Sequence, residues 1–166
     1  LEACVPGRPV VRAMPNTPAL VGLGASAIAP GASATDDHLD LAERLLGAVG
    51  IVVRVREHEL DAVTGLSGSG PAYVMLVAEA LIEAGLLVGL PRPVAAQLVA
   101  QTLLGSATLL ARSDDGPEAL RAAVTSPGGT TAAGLRALEM RAVRAAFVDA
   151  VVAATERSRE LGRQSS

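Results

Sequence analysis

The stretch from Pro71 to Val88 constrains this chain more than any other part of it. Pro71 can open a helix, because its missing N–H does no harm in a first turn. Behind it Tyr73, Val74, Met75, Leu76, Val77, Leu81, Ile82, Leu86 and Leu87 cover nearly the whole circumference of that helix. A helix apolar all round is normally buried on every side. With 166 residues the chain can build one self-sufficient core but not two generous ones. Part of the burial is therefore expected to come from another subunit. A membrane is the weaker explanation. Glu79 and Glu83 interrupt the run and Gly85 and Gly89 follow, so an unbroken span of roughly 20 apolar residues is missing.

Composition narrows the function classes. The chain is 50% hydrophobic and 19% charged, with a mean hydropathy of +0.41, which reads as a soluble fragment with one sticky face. Net charge is −3, there is one Tyr and one Phe, and Trp is absent. That argues against nucleic acid and removes base-stacking platforms. Every basic residue is Arg. Without Lys there is no P-loop, no Schiff base and no pyridoxal site. Cys4 stands alone, so no intrachain disulfide can form, and a reducing, cytoplasmic compartment is expected. Cys4 reads as a small buried or incidental residue rather than a nucleophile. His38 and His58 lie among acidic residues at helix starts and read as solvated surface histidines, so no metal site is expected. A charged segment leading into an apolar one is missing at the start, where Leu1 stands in place of Met, so no signal peptide is expected.

Along the chain, residues 10–14 and 24–29 read as short strands, separated by Pro15-Asn16-Thr17-Pro18, whose prolines push their predecessors out of the helical region. They resemble the last strands of an α/β domain with an open sheet edge. Thr35 or Asp36 can cap a helix to about Val49 with Leu39, Ala42, Leu46 and Val49 on one face, stopped by Gly50. Residues 51–55 read as a strand. From Glu57 onward the pattern is helical. A first segment runs to Leu66, the long helix follows, and Gly89–Pro93 make a turn. Further helices are expected over 94–112, from about 117 to 124, from Thr130 or Thr131, and from Arg141 to about Leu161. The tail from Gln164 is expected to fray.

Gly22-Leu23-Gly24-Ala25-Ser26-Ala27 matches G-x-G-x-x-A. A dinucleotide fingerprint needs a strand before it and a helix after it. Here a proline-rich loop precedes and a short strand follows, so the match reads as accidental. Asp61-Ala62-Val63-Thr64-Gly65-Leu66-Ser67-Gly68-Ser69-Gly70-Pro71-Ala72-Tyr73 combines small residues and hydroxyls that let another surface approach the backbone. The plain reading is a kink between packed segments. Thr125-Ser126-Pro127-Gly128-Gly129-Thr130-Thr131 offers free N–H groups at a helix start, suited to a small carboxylate. An ordinary helix–helix loop explains it equally well.

Taken together, Met14–Pro18, Asp61–Tyr73 and Ser126–Thr131 resemble pyrroline-5-carboxylate reductase in content, order and spacing, and Gly85–Pro91 looks like that family's turn between long helices. The resemblance runs from about Pro9 to Leu161. It implies a mainly α fold: a helical dimerisation domain of the 6-phosphogluconate-dehydrogenase-like C-terminal type over 57–163, preceded over 1–56 by a short α/β remnant of a Rossmann domain. It implies NAD(P)H-dependent reduction of 1-pyrroline-5-carboxylate to L-proline, with NADPH and NADH not distinguished. It implies a homodimer, in many members assembled further into rings, with the substrate loop of one subunit facing the other's Rossmann domain. By resemblance Ser126, Gly128, Gly129, Thr130 and Thr131 bind the substrate carboxylate, with Thr131 on the ring nitrogen. Glu57 lies near the substrate, and Asn16, Thr17, Pro18 and Thr64 lie near the nicotinamide. No acid–base residue is assigned. The family's glycine-rich fingerprint has no counterpart here, so the chain is expected to be incomplete and inactive alone. A non-catalytic dimerisation module is the alternative. A related hydroxy-acid dehydrogenase is weaker, since such enzymes commonly place a Lys at the catalytic position.

Overall fold

The computed structural model describes residues 2–164. They form two compact units: Leu1–Tyr73 with Val148–Ser166, and Val74–Phe147. The units divide the chain elsewhere than between 56 and 57. Residues 57–73 and the end of the last helix belong to the same unit as the sheet.

In the first unit, β1 (Val11–Met14) runs antiparallel to β2 (Gly24–Pro30), with Val11 opposite Pro30 and Met14 opposite Ala27. β3 (Gly50–Arg54) lies parallel to β2, with Gly24 opposite Gly50. A parallel pair needs a crossover, and α1 (Asp36–Gly47) supplies it. β2 is the central strand and is buried on both faces from Ser26 to Ala29. Ala27 and Ala29 pack with Leu60 against Met14, Val55 and Val63. Alternation turns Ser26 and Ile28 to the opposite face.

Thr35 is the α1 cap residue, and its N–H donates to Nδ1 of His38 at 3.1 Å. The helix ends at Gly47, short of Val49, which leads into β3. Thr17–Val21 forms a turn of 3₁₀-helix where the prolines suggested only a break. Cys4 ends another such turn and is exposed, so of the two readings, buried or incidental, the buried one falls.

The Asp61–Tyr73 motif is helical on both sides of a bend at Ser69. α2 (Leu60–Val63) passes into a turn of π-helix, Thr64–Gly68, and then into α3 (Gly70–Leu87). In the π-turn the Ser69 N–H reaches the Thr64 carbonyl at 2.8 Å. The close approach expected of the motif occurs within the same unit, against α7 (Val143–Gln164). A Cβ at Gly65 would lie 2.3 Å from Thr155 Oγ1 and 2.8 Å from the Val151 carbonyl, so only glycine fits. Ser158 Oγ donates to Asp61 at 2.6 Å and Tyr73 O–H to the Gly65 carbonyl at 3.1 Å.

The second unit holds α3 from Val74, α4 (Arg92–Arg112), α5 (Pro117–Ala123), α6 (Thr130–Met140) and the start of α7. Glu139 pairs with Arg144 at 2.7 Å and lies 3.9 Å from Arg121. α6 and α7 are separated at Arg141–Ala142, where Ala142 has φ +54°. α7 continues to Gln164, past the expected helix end near Leu161, and Ser165 and Ser166, the rest of the tail expected to fray, lie outside the described residues. Ala95 is buried in this unit, whereas no residue of α3 is. Met75, Leu76, Leu87 and Val88 all remain exposed. By length and composition Glu57–Leu87 and Arg92–Arg112 would each suffice to cross a membrane, the interrupting glutamates notwithstanding.

Candidate functional site

The Ser126–Thr131 loop belongs to the second unit and owes its shape to its sequence. Pro127 and Gly128 occupy the central positions of a turn closed by the Gly129 N–H on the Ser126 carbonyl at 3.1 Å. Gly128 has φ +71°. Proline followed by a residue at positive φ defines a type II turn, which is why glycine stands at 128. Gly129 is then the N-cap of α6, in extended conformation, and no side chain caps the helix. The first intrahelical bond is Ala133 N–H to the Gly129 carbonyl at 3.2 Å. The N–H groups of Thr130, Thr131 and Ala132 thus open the helix, at the positive end of its dipole. Ser126, Thr130 and Thr131 are exposed. The arrangement can receive one small anion, with hydroxyls at hand for a neighbouring polar atom.

The remaining candidates lie in the first unit. The Glu57 carboxylate is paired with the Arg12 guanidinium on β1. Thr17 and Pro18 open the 3₁₀ turn. Thr64 Oγ1 donates back to the Leu60 carbonyl at 2.8 Å within its own helix. Asn16 has both side-chain polar atoms engaged: Nδ2 donates to the Ser67 carbonyl at 3.1 Å and Oδ1 accepts the Ala25 N–H at 2.8 Å. That bridge was missed in the sequence, although Pro71, which leaves a carbonyl four residues earlier without a donor, was a readable signal for it.

Beside these residues, Glu59 accepts both the Arg56 guanidinium at 2.8 Å and the Arg56 N–H at 2.7 Å. The guanidinium first and the N–H second lower its pKa to about 2. Arg54 has its pKa raised by Asp40 and Glu43. An open cleft of about 380 Å³ lies at the starts of β2 and β3. Its lining, Gly22–Ala25, Gly47, Ala48, Gly50 and Ile51, includes none of the candidate residues and no ionisable side chain. Among the described residues no cluster of His, Cys, Asp and Glu could hold a metal.

A strand–glycine loop–helix cradle for a pyrophosphate is absent among the described residues. The Gly22–Ala27 stretch ends the 3₁₀ turn and then enters β2, so it is not a dinucleotide fingerprint.

The chain is 50% identical over 159 residues to a pyrroline-5-carboxylate reductase from Synechocystis, covering 96% of this chain and 60% of that protein. It is 48% identical over 162 residues to one from Corynebacterium melassecola, covering 98% and 60%. Among solved structures it is similar to the Coxiella burnetii pyrroline-5-carboxylate reductase, with a TM-score of 0.93, 40% identity and coverage of 96% of this chain and 60% of that one. A Plasmodium falciparum pyrroline carboxylate reductase with NADP bound gives a TM-score of 0.89 and 36% identity, covering 97% and 65%. The chain therefore spans about 60% of the length of the curated relatives named here. A family model for pyrroline-5-carboxylate reductase dimerisation matches residues 57–161, and on that match the chain belongs to the pyrroline-5-carboxylate reductase dimerisation family.

Proposed function

We propose that this chain serves a pyrroline-5-carboxylate reductase, which reduces the cyclic imine of 1-pyrroline-5-carboxylate to L-proline, and that it does so in the cytoplasm as a homodimer. The observation that carries the reading is the type II turn at Ser126–Gly129 feeding an uncapped helix start. The family match and the names of the relatives support it.

The chemistry asks little acid–base machinery of the chain, because a protonated imine is already an electrophile. The protein has to orient it. The substrate carboxylate sits on the Thr130, Thr131 and Ala132 N–H groups, where the helix dipole favours negative charge. The Thr131 hydroxyl then accepts a hydrogen bond from the protonated ring nitrogen. Glu57 is held by Arg12, which leaves recognition to the loop. NAD(P)H supplies the hydride when bound. The described residues do not form the site for its pyrophosphate.

The dimer forms through the exposed apolar surface of α3 and α4, where Leu76, Leu87, Leu98 and Leu104 are more than half exposed. Thermal unfolding with L-proline, on a species of measured mass, tests the reading. A ligand at about 100 times its dissociation constant stabilises by roughly 2.7 kcal/mol, a shift of roughly 5 to 10 degrees for a chain of this size. The expected result is such a shift on a dimer, absent in Thr131→Ala. A dimer that proline leaves unmoved would instead make the chain a dimerisation module without its own ligand site.

A further inference from the structure

Asn16 sits where two stretches of the first unit meet. Its Nδ2 donates to the Ser67 carbonyl at 3.1 Å, its Oδ1 accepts the Ala25 N–H at 2.8 Å, and its own carbonyl accepts the Ala19 N–H at 3.2 Å. One side chain thus joins the loop between β1 and β2 to the π-turn.

The Ser67 carbonyl needs this partner. In α-helical register its donor would be the N–H four residues on, and that position is Pro71, which has none. A proline ring also crowds the carbonyl four residues before it. The chain accommodates this with the π-turn, in which Ser69 N–H bonds the Thr64 carbonyl at 2.8 Å. The Gly65 carbonyl, whose ordinary donor is thereby diverted, takes the Tyr73 hydroxyl at 3.1 Å. A partly buried carbonyl left without a donor is costly, and Asn16 and Tyr73 are the external donors that make the π-turn tenable.

We propose that Asn16 is a positioning residue that locks the π-turn carrying Thr64 to the segment carrying Thr17 and Pro18, by donating to the one carbonyl that Pro71 cannot serve. What the lock serves rests on the functional reading above, in which those residues edge the nicotinamide. Asn16 acts there through geometry, its polar atoms being engaged within the protein.

The test is amide hydrogen exchange by NMR on the full chain in wild type, Asn16→Ala, Pro71→Ala and the double variant. Ser69 and Ala72 N–H groups, bonded to the Thr64 and Ser69 carbonyls, report the π-turn. Asn16→Ala is expected to speed their exchange roughly tenfold. In the Pro71→Ala background, where a new N–H can take the Ser67 carbonyl, the same change is expected to speed it by less than about twofold. Equal acceleration in both backgrounds, or none in either, overturns the proposal. Should Asn16→Ala fail to fold, Asn16→Asp decides at neutral pH. It keeps the acceptor for Ala25 and removes the donor to Ser67, so Ser69 should exchange faster while Ala25 stays protected. Unchanged exchange at Ser69 overturns the proposal. If proline binding fails while the rescue by Pro71→Ala is seen, the lock stands and only the functional reading falls.

Discussion

The two units differ in how far they bury their apolar residues. The first contains Ala27, Ile28, Ala29, Leu39 and Leu60, all buried, and ties them down with hydrogen bonds between distant parts of the sequence, such as Ser158 to Asp61. The second is richer in large apolar side chains and buries almost none of them. Leu87 is 88% exposed and Leu76 65%. A monomer rarely leaves contiguous apolar surface of that kind uncovered. The first unit has a small core of its own, although Leu20, Val21, Leu23 and Ile51 stay exposed in it too, whereas the second has almost none.

The largest effect that could break this contrast is at Gly65. Its missing side chain lets α7 lie against the π-turn, and a Cβ would meet a hydroxyl at 2.3 Å and a backbone carbonyl at 2.8 Å. Backbone cannot swing away as a flexible side chain can, so Gly65→Ala should destabilise by about 3 kcal/mol, read as a lower urea midpoint. A cost below about 1 kcal/mol would mean that the first unit is looser than described. The mirror experiment is on the second unit. Leu76→Glu combined with Leu87→Glu puts two charges on its exposed face. It should leave the chain folded and raise the dimer dissociation constant by about 100-fold, read by sedimentation. Loss of folding without prior dissociation would contradict the contrast.

The sequence disclosed the two units unequally. The strands, the Thr35 cap and every long helix were legible, because period-2 and helical patterns, Pro at helix starts and Gly at turns are local signals. The Ser126–Thr131 turn was legible for the same reason: Pro127 and Gly128 dictate it. What was not legible was long-range. Nothing near Asp61 announces Ser158, and nothing near Gly65 announces Thr155, because partners so far apart in the chain leave no periodic trace. The apolar circumference of α3 did say that its burial must come from elsewhere. The role of Asn16 fell between the two cases. Its cause, Pro71, is in plain view, but its partner, the Ser67 carbonyl, is backbone and carries no sequence signature.

Two smaller effects sharpen the comparison. Gly105 lies within α4, and a Cβ there would meet nothing within 4 Å in this chain. Glycine inside a helix costs about 1 kcal/mol relative to alanine, so Gly105→Ala should stabilise the monomer by about that much. If instead it weakens the dimer, the partner presses against the helix at that point, and the interface is mapped there. The smallest effect belongs to the first unit, where the Glu59 side chain caps the 3₁₀ turn Glu57–Glu59 that precedes α2. Its carboxylate is held at about 2 by the Arg56 guanidinium and then by the Arg56 N–H. A carboxylate with a lowered folded pKa contributes stability above its ordinary value of 4.5 and loses it as pH falls toward about 2. Solvent screens so exposed a pair, and the loss should be local rather than global. In an NMR titration the Glu59 carboxyl and the Arg56 amide should shift together near pH 2, and Glu59→Gln should abolish the Arg56 step. Titration of Glu59 near 4.5 would show that the cap does not form.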